Sequence, residues 1–251
     1  MRKSRSRLCG FTLMELMVAM ALAAILITAI SRIVQASSGS YQLQQNLGAM
    51  QESARFAFST MKREIAAAGF QPAPWSAATE FKAIGDLSLD ALSASSDRVS
   101  VRRWSDRNCF GNSNPLLDET GAARFFLMES SFSASASGNL ALRCRYGPDA
   151  GQLTTQINKL GLIKNVEAFQ ALYAEDSDAD GNADRWVRAG QWNDRARVMA
   201  IRLAILIASP EPVTPVAAGL KAVLDINIDT PADGRIRRVY ESTIMLEGRR
   251  T

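Results

Sequence analysis

The chain has 251 residues, 47% of them hydrophobic, and a formal net charge of +4. That length and apolar content support one or two folded domains and exclude a compositionally disordered protein. The charge builds no nucleic-acid surface, because four basic residues (Arg2, Lys3, Arg5 and Arg7) sit in the first ten positions without an acid and account for the whole excess.

From Leu16 to Ile30 only Thr28 interrupts the apolar residues, and Phe11 to Ser31 is a stretch of 21. A helix needs about 20 residues to cross a bilayer. A secretory signal peptide has a shorter apolar core, roughly 7 to 15 residues, closed by a small-residue cleavage site; nothing polar closes this run early. The preceding basic residues predict a cytoplasmic N-terminus and an exported C-terminal bulk. Glu15 is the anomaly, since an ionisable group near the centre of a spanning helix costs about 2.5–3.5 kcal/mol, less near an end. Either it stays wet in the interface or it has a partner.

The letters around it, "GFTLMEL", resemble the class III leader motif of type IV pilins and type II secretion pseudopilins. In those proteins prepilin peptidase cuts after the glycine and methylates the new amino-terminal phenylalanine. The resemblance implies processing between Gly10 and Phe11, with Glu15 as the fifth mature residue, paired with the Phe11 amine of a neighbouring subunit.

Beyond the run, Leu43, Leu47, Met50, Ala54, Phe58, Met61 and Ile65 recur at intervals of three and four, the apolar stripe of an amphipathic helix. Gly69 supplies a stop, and Pro72 and Pro74 forbid simple continuation. "ASSGS" at 36–40 is the weak point, with low helix propensity and a local bend or melting expected there. Many pilins carry a helix-breaking proline slightly earlier; this chain has Arg32 in that neighbourhood. The expected organisation is a cleaved leader over 1–10, a transmembrane and filament-core helix over 11–38, its amphipathic continuation over 39–68, and a periplasmic β-rich head over 69–251.

In the head, strands are predicted near 98–104, 124–129, 139–147, 166–174, 197–209, 220–228 and 235–246. "VEAFQALYA" at 166–174 also suits a helix. In "RVMAIRLAILIAS", Met199, Ile201, Leu203, Ile205 and Ile207 alternate onto one face, with Arg197 and Arg202 assigned to the other, as in a half-buried strand. The sum is an α+β fold, pilin-like, with a long N-terminal helix packed on an antiparallel sheet.

Cys109 and Cys144 are the cysteines that remain once a leader containing Cys9 is removed. In an oxidising compartment they form either a disulfide, closing a loop of about 35 residues and contributing about 3–4 kcal/mol, or two separately buried thiols. "DSDADGNAD" at 176–184 places Asp176, Asp178 and Asp180 before Gly181, as in the first half of a calcium loop, with Asn182 and Asp184 as further oxygen donors. Val187 stands where an EF-hand has its bidentate glutamate, so the alternatives are a Ca2+ site of another kind or a metal-free Asp/Asn/Gly turn. No histidine is present, which removes histidine triads, histidine zinc sites and imidazole proton shuttles. No enzyme is expected.

"QESARFAFSTMKREIAAAGF", "YAEDSDADGNADRW", "RVMAIRLAILIAS" and the final "RVYESTIML" look like the PilW family of type IV pilus minor pilins, including the Arg55-Phe56-Ala57 stretch and the aspartate loop. That resemblance implies a low-abundance subunit of the inner membrane and pilus, acting in pilus assembly and twitching motility. Its implied partners are prepilin peptidase, other minor pilins, the major pilin, the inner-membrane assembly platform and the lipid bilayer, with no nucleic acid. Two alternatives stay open: a type II secretion minor pseudopilin, and a membrane-anchored adhesive or ligand-binding domain.

Overall fold

The computed structural model describes residues 12–72, 82–91, 96–213 and 217–249. The chain divides into two compact units, 1–45 and 46–251, and the division falls inside one helix, α1 (Leu13–Ala66, 54 residues). In the first unit every side chain from Thr12 to Gln42 is exposed, the pattern of a helix with no protein around it. Thr28, the polar interruption in the apolar run, turns its hydroxyl back onto the carbonyls of Ile25 (2.8 Å) and Ala24 (3.1 Å). A group that is satisfied within its own helix suits an apolar surrounding. The expected melting at 36–40 does not occur: α1 is helical through Ser37, Ser38, Gly39 and Ser40. Low propensity costs at most about 1 kcal/mol per residue, which helix cooperativity on both sides overrides.

In the second unit α1 becomes the wall of the head's core. Met50, Ala54, Ala57, Met61 and Ile65 are buried, with Phe58 packed partly against them. Leu43 and Leu47 are half-buried. The predicted stripe is thus the face that packs, with Ala57 added where the helix comes close to the sheets. The helix ends at Ala66, and Gly69, at φ 90°, turns the chain away and donates its N–H to the carbonyl of Arg102 at 2.9 Å. Pro74 lies outside the described residues.

Ten strands follow. β1 (Arg98–Ser105), β2 (Phe126–Ala134), β3 (Leu140–Gly147) and β4 (Thr154–Ile163) form an antiparallel meander. β5 (Val166–Glu175), β6 (Arg185–Val187), β7 (Val198–Ala208) and β10 (Arg237–Met245) form a second antiparallel sheet in the order β10-β7-β5-β6. β8 (Gly219–Val223) and β9 (Ile226–Thr230) make a hairpin. "VEAFQALYA" is therefore a strand: β5 pairs along its length with β7, which a helix could not do. Segment 220–228 is a hairpin rather than one strand, reversing at Leu224 with φ 54°. β4 and the three-residue β6 were not predicted, the one largely exposed and paired with β3 through three register irregularities, the other too short to show alternation.

β7 corrects the half-buried reading. Ile201, Leu203, Ile205 and Ile207 face the core under α1, while Ala204 and Leu206 pack with Val223 and Ile228 of the β8–β9 hairpin, so both faces are covered from Leu203 onward. Arg197 closes the 3-10 turn Arg195–Arg197 ahead of the strand and takes no part in the alternation, whereas Arg202 does face outward, stacked 4.1 Å over Trp186.

The sheets are stitched together by Ser96 and Asp97. The Asp97 N–H donates to the Phe169 carbonyl at 2.8 Å, and its carboxylate accepts N–H bonds from Ala91 (2.9 Å) and from Ala171 in β5 (2.8 Å). Burial pushes the Asp97 carboxyl up to about 6, outweighing those two N–H donors. The folded protein therefore holds this proton more tightly than the unfolded chain, and Asp97's contribution to stability falls as pH rises from about 4 to about 6. Urea unfolding from pH 4 to 7 checks this: Asp97→Asn should remove that decline relative to the parent protein, and identical slopes in the two proteins would contradict it.

Candidate functional site

The start of α1 is built by Thr12 and Glu15. The Thr12 backbone N–H donates to Glu15 Oε2 at 2.9 Å and its hydroxyl donates to the same oxygen at 3.1 Å, while the Glu15 N–H reaches Thr12 Oγ1 at 3.3 Å. The Leu16 N–H closes the first turn on the Thr12 carbonyl at 3.2 Å. This is a capping box, the Thr-x-x-Glu arrangement that satisfies orphan donors at a helix N-terminus. It was visible in "TLME" and escaped the sequence reading, which weighed Glu15 as a charge left wet in the interface or paired with an external partner, and not as a cap. Gly10 and Phe11 lie outside the described residues, so the cleavage point and the Phe11 amine do too.

On the head, Cys109 and Cys144 are joined by a disulfide, Cα to Cα 6.0 Å. Cys144 lies on β3 beside Met128 and Tyr146, and Cys109 on the long β1–β2 connection, where its N–H also donates to Gln156 on β4 at 2.9 Å. The bridge pins that connection, which exposes Phe110, Leu116 and Leu117, to the first sheet.

The aspartate loop joins β5 to β6. Its base is Glu175, fully buried, which accepts from Arg185 (2.8 Å) and from the backbone N–H groups of Asn193 (2.6 Å) and Asp194 (2.8 Å). Burial alone would raise its carboxyl; the Asp194 N–H, Arg185 and the Asn193 N–H outweigh it and hold the group below the usual carboxylate range. Of the five expected ligands, three converge: one carboxylate oxygen from each of Asp176, Asp178 and Asp184 lies within 4.8 Å of the others. Asp180 instead accepts the N–H of Asn182 at 2.7 Å and its amide at 3.1 Å, so these two residues close a local turn. Asp176 also accepts from Ala179 (2.6 Å) and Gly181 (3.0 Å). Val187 is buried in β6, which is why no bidentate acid occupies that position.

The sequence reading missed the buried charge ladder. Arg102, Glu129 and Arg145 stand side by side on β1, β2 and β3; Glu129 accepts from Arg102 at 2.6 Å and from Arg145, and Arg102 continues to Asp86 at 2.8 Å. Gly85 lies directly over it, where a Cβ would fall 2.3 Å from Ser100 Oγ and 3.0 Å from Glu129 Oε2. On the sheet's other face Glu64 of α1 accepts from Ser130 (2.8 Å) and pairs with Arg103 (3.0 Å). No single strand's letters announce these contacts, because each pairs residues far apart in sequence. A polar cleft of about 590 Å3 includes Ser135, Ser137, Asn165, Glu167 and Arg235, but Arg235 is tied to the Ser209 carbonyl (2.6 Å) and to Asn165 (2.9 Å).

Two family models match the chain: type IV pilus-assembly protein W over residues 131–248, and the prokaryotic N-terminal methylation motif over residues 5–31. No curated protein matches it. Among solved structures, a type IV-like pilin from Thermus thermophilus is similar at 16% identity, with 82% of this chain and 96% of that chain covered and a TM-score of 0.48. The first match spans β3 to β10 and the aspartate loop, and the second contains the Thr12–Glu15 capping box. The chain thus carries a type IV pilus-assembly protein W domain over residues 131–248 behind a prokaryotic N-terminal methylation motif over residues 5–31, the pairing of structural, non-enzymatic pilin-like proteins.

Proposed function

We propose that the chain is a minor pilin, cut by prepilin peptidase between Gly10 and Phe11, held in the inner membrane by α1, and joined with other minor pilins to prime type IV pilus assembly at the tip. In this reading the N-terminus is cytoplasmic, the head is periplasmic, and the major pilin and assembly platform take over from the membrane. The observation that carries it is the exposed apolar helix of residues 13–34 with Glu15 at its start. A surface of this kind is unstable in water and has two environments to go to, a bilayer or a bundle of like helices. The Cys109–Cys144 disulfide agrees with an oxidising compartment.

Glu15 then has two successive partners. Thr12 holds it in the subunit at rest, and the Phe11 amine of a neighbour takes it in the filament, where a carboxylate beside an ammonium costs far less than one alone. Glu15→Ala should still insert in the membrane, yet be lost from sheared pili; incorporation equal to the parent protein would contradict the pairing. Deletion of the gene should abolish twitching while leaving enzyme secretion intact, the reverse favouring a pseudopilin.

The aspartate loop belongs to this reading as a calcium point on the head, supported by the convergence of Asp176, Asp178 and Asp184. Calorimetric titration of the purified protein with Ca2+ should release or absorb heat that Asp178→Ala loses; no heat from the parent protein would leave the loop a metal-free turn.

A further inference from the structure

Between Leu13 and Gln51 α1 carries two charged side chains, Glu15 and Arg32. Glu15 is engaged by the capping box. Arg32 is exposed and has no ion-pair or hydrogen-bond partner among the described residues, and the helix stays regular on both sides of it. Its nearest helical neighbours at positions 28, 29, 35 and 36 are Thr28, Ala29, Gln35 and Ala36, none of them acidic. Apolar character does not end at Arg32: Ile33 and Val34 follow, exposed, and sustained polarity begins only with Gln35, Ser37 and Ser38. The arginine thus stands one turn inside the end of the apolar surface.

We infer that Arg32 is a lipid-headgroup anchor: its guanidinium binds the phosphates of the leaflet on the head's side of the membrane and fixes how deep α1 sits. This rests on the reading that α1 spans a bilayer. Arg32 lies seventeen positions after Glu15, about 25 Å of helix at 1.5 Å per residue, against a hydrocarbon thickness of about 30 Å. With the Arg32 stem extended along the helix to bring its head to the phosphates, Glu15 and the capping box fall at the opposite boundary. The two charges then bracket the hydrocarbon layer, and neither lies at its centre. Arginine suits the role because its planar fork binds phosphate oxygens in pairs and it keeps its charge at any physiological pH. Without that charge, Ile33 and Val34 would draw the helix deeper by about one turn.

The test places single cysteines (Ala29→Cys, Gln35→Cys or Ser37→Cys) in the full-length protein carrying Cys9→Ser and labels membranes from the head's side with a membrane-impermeant maleimide; the native Cys109–Cys144 disulfide does not react. In the parent protein Gln35→Cys and Ser37→Cys should label and Ala29→Cys should not. With Arg32→Leu added, Gln35→Cys should become protected, a shift of about four residues, while Arg32→Lys should restore the original boundary. Moving the parent protein from phosphatidylcholine vesicles to phosphate-free galactolipid vesicles should reproduce the shift. An unmoved boundary in Arg32→Leu, or in galactolipid, overturns the inference. So does an unmoved boundary combined with loss of Arg32→Leu from pili, which would assign Arg32 to a carboxylate on a neighbouring subunit. Equal labelling at all three positions in the parent protein would instead overturn the membrane-spanning reading itself.

Discussion

A backbone that enters lipid has to satisfy its own hydrogen bonds, and that constraint organises this chain. A helix does so along its interior but leaves donors open at its first turn. Here the first turn is closed by Thr12 and Glu15, and the polar residue within the apolar run, Thr28, is closed onto carbonyls of the turn before it. The carboxylate that looks costly in an apolar segment is thus part of what lets the helix begin there. In the proposed filament the same carboxylate is the partner of a neighbour's Phe11 amine.

The same helix then changes surroundings. Through Gln42 its side chains have no protein cover, while from Met50 to Ile65 one stripe is the inner wall of a β-rich head. The head is held by apolar packing under α1 and by buried acids that accept bonds from residues distant in sequence. Glu64 ties the helix to β1 and β2, Glu129 ties β1 to β3, Glu175 fixes the root of the aspartate loop, and Asp97 joins the sheets. Removing one member of such a buried set leaves charges unpaired and typically costs about 3–5 kcal/mol. These acids contribute register more than net stability, because each bond is made by a partner distant in sequence that only the correct strand order brings near.

What was legible in the sequence followed the periods. The helix stripe from Met50 to Ile65, the alternation in Ile201–Ile207 and the position of β1, β3 and β10 could be read because packing on one face imposes spacing on the letters. The second layer over Ala204 and Leu206 could not, since a small hairpin covering that face leaves no distinct period. "VEAFQALYA" was ambiguous for the same reason: with Ala168, Phe169, Ala171 and Tyr173 all buried, both faces of β5 are apolar, and such a run fits helix or strand. At the aspartate loop the letters gave carboxylates in the right order, but turn chemistry recruited Asp180 and Asn182 to each other and left three acids facing one point. Glu129 and Glu175 were invisible because a buried acid is recognised by its partners, and those lie on other strands.

The central claim is that the apolar helix is an assembly element released by processing after Gly10. Mass spectrometry of the amino-terminal peptide of the mature protein, isolated from the membranes of cells that express prepilin peptidase, tests it most directly. The account predicts a first residue of N-methylated Phe11; a mature chain that keeps its basic leader, or begins elsewhere, would contradict it.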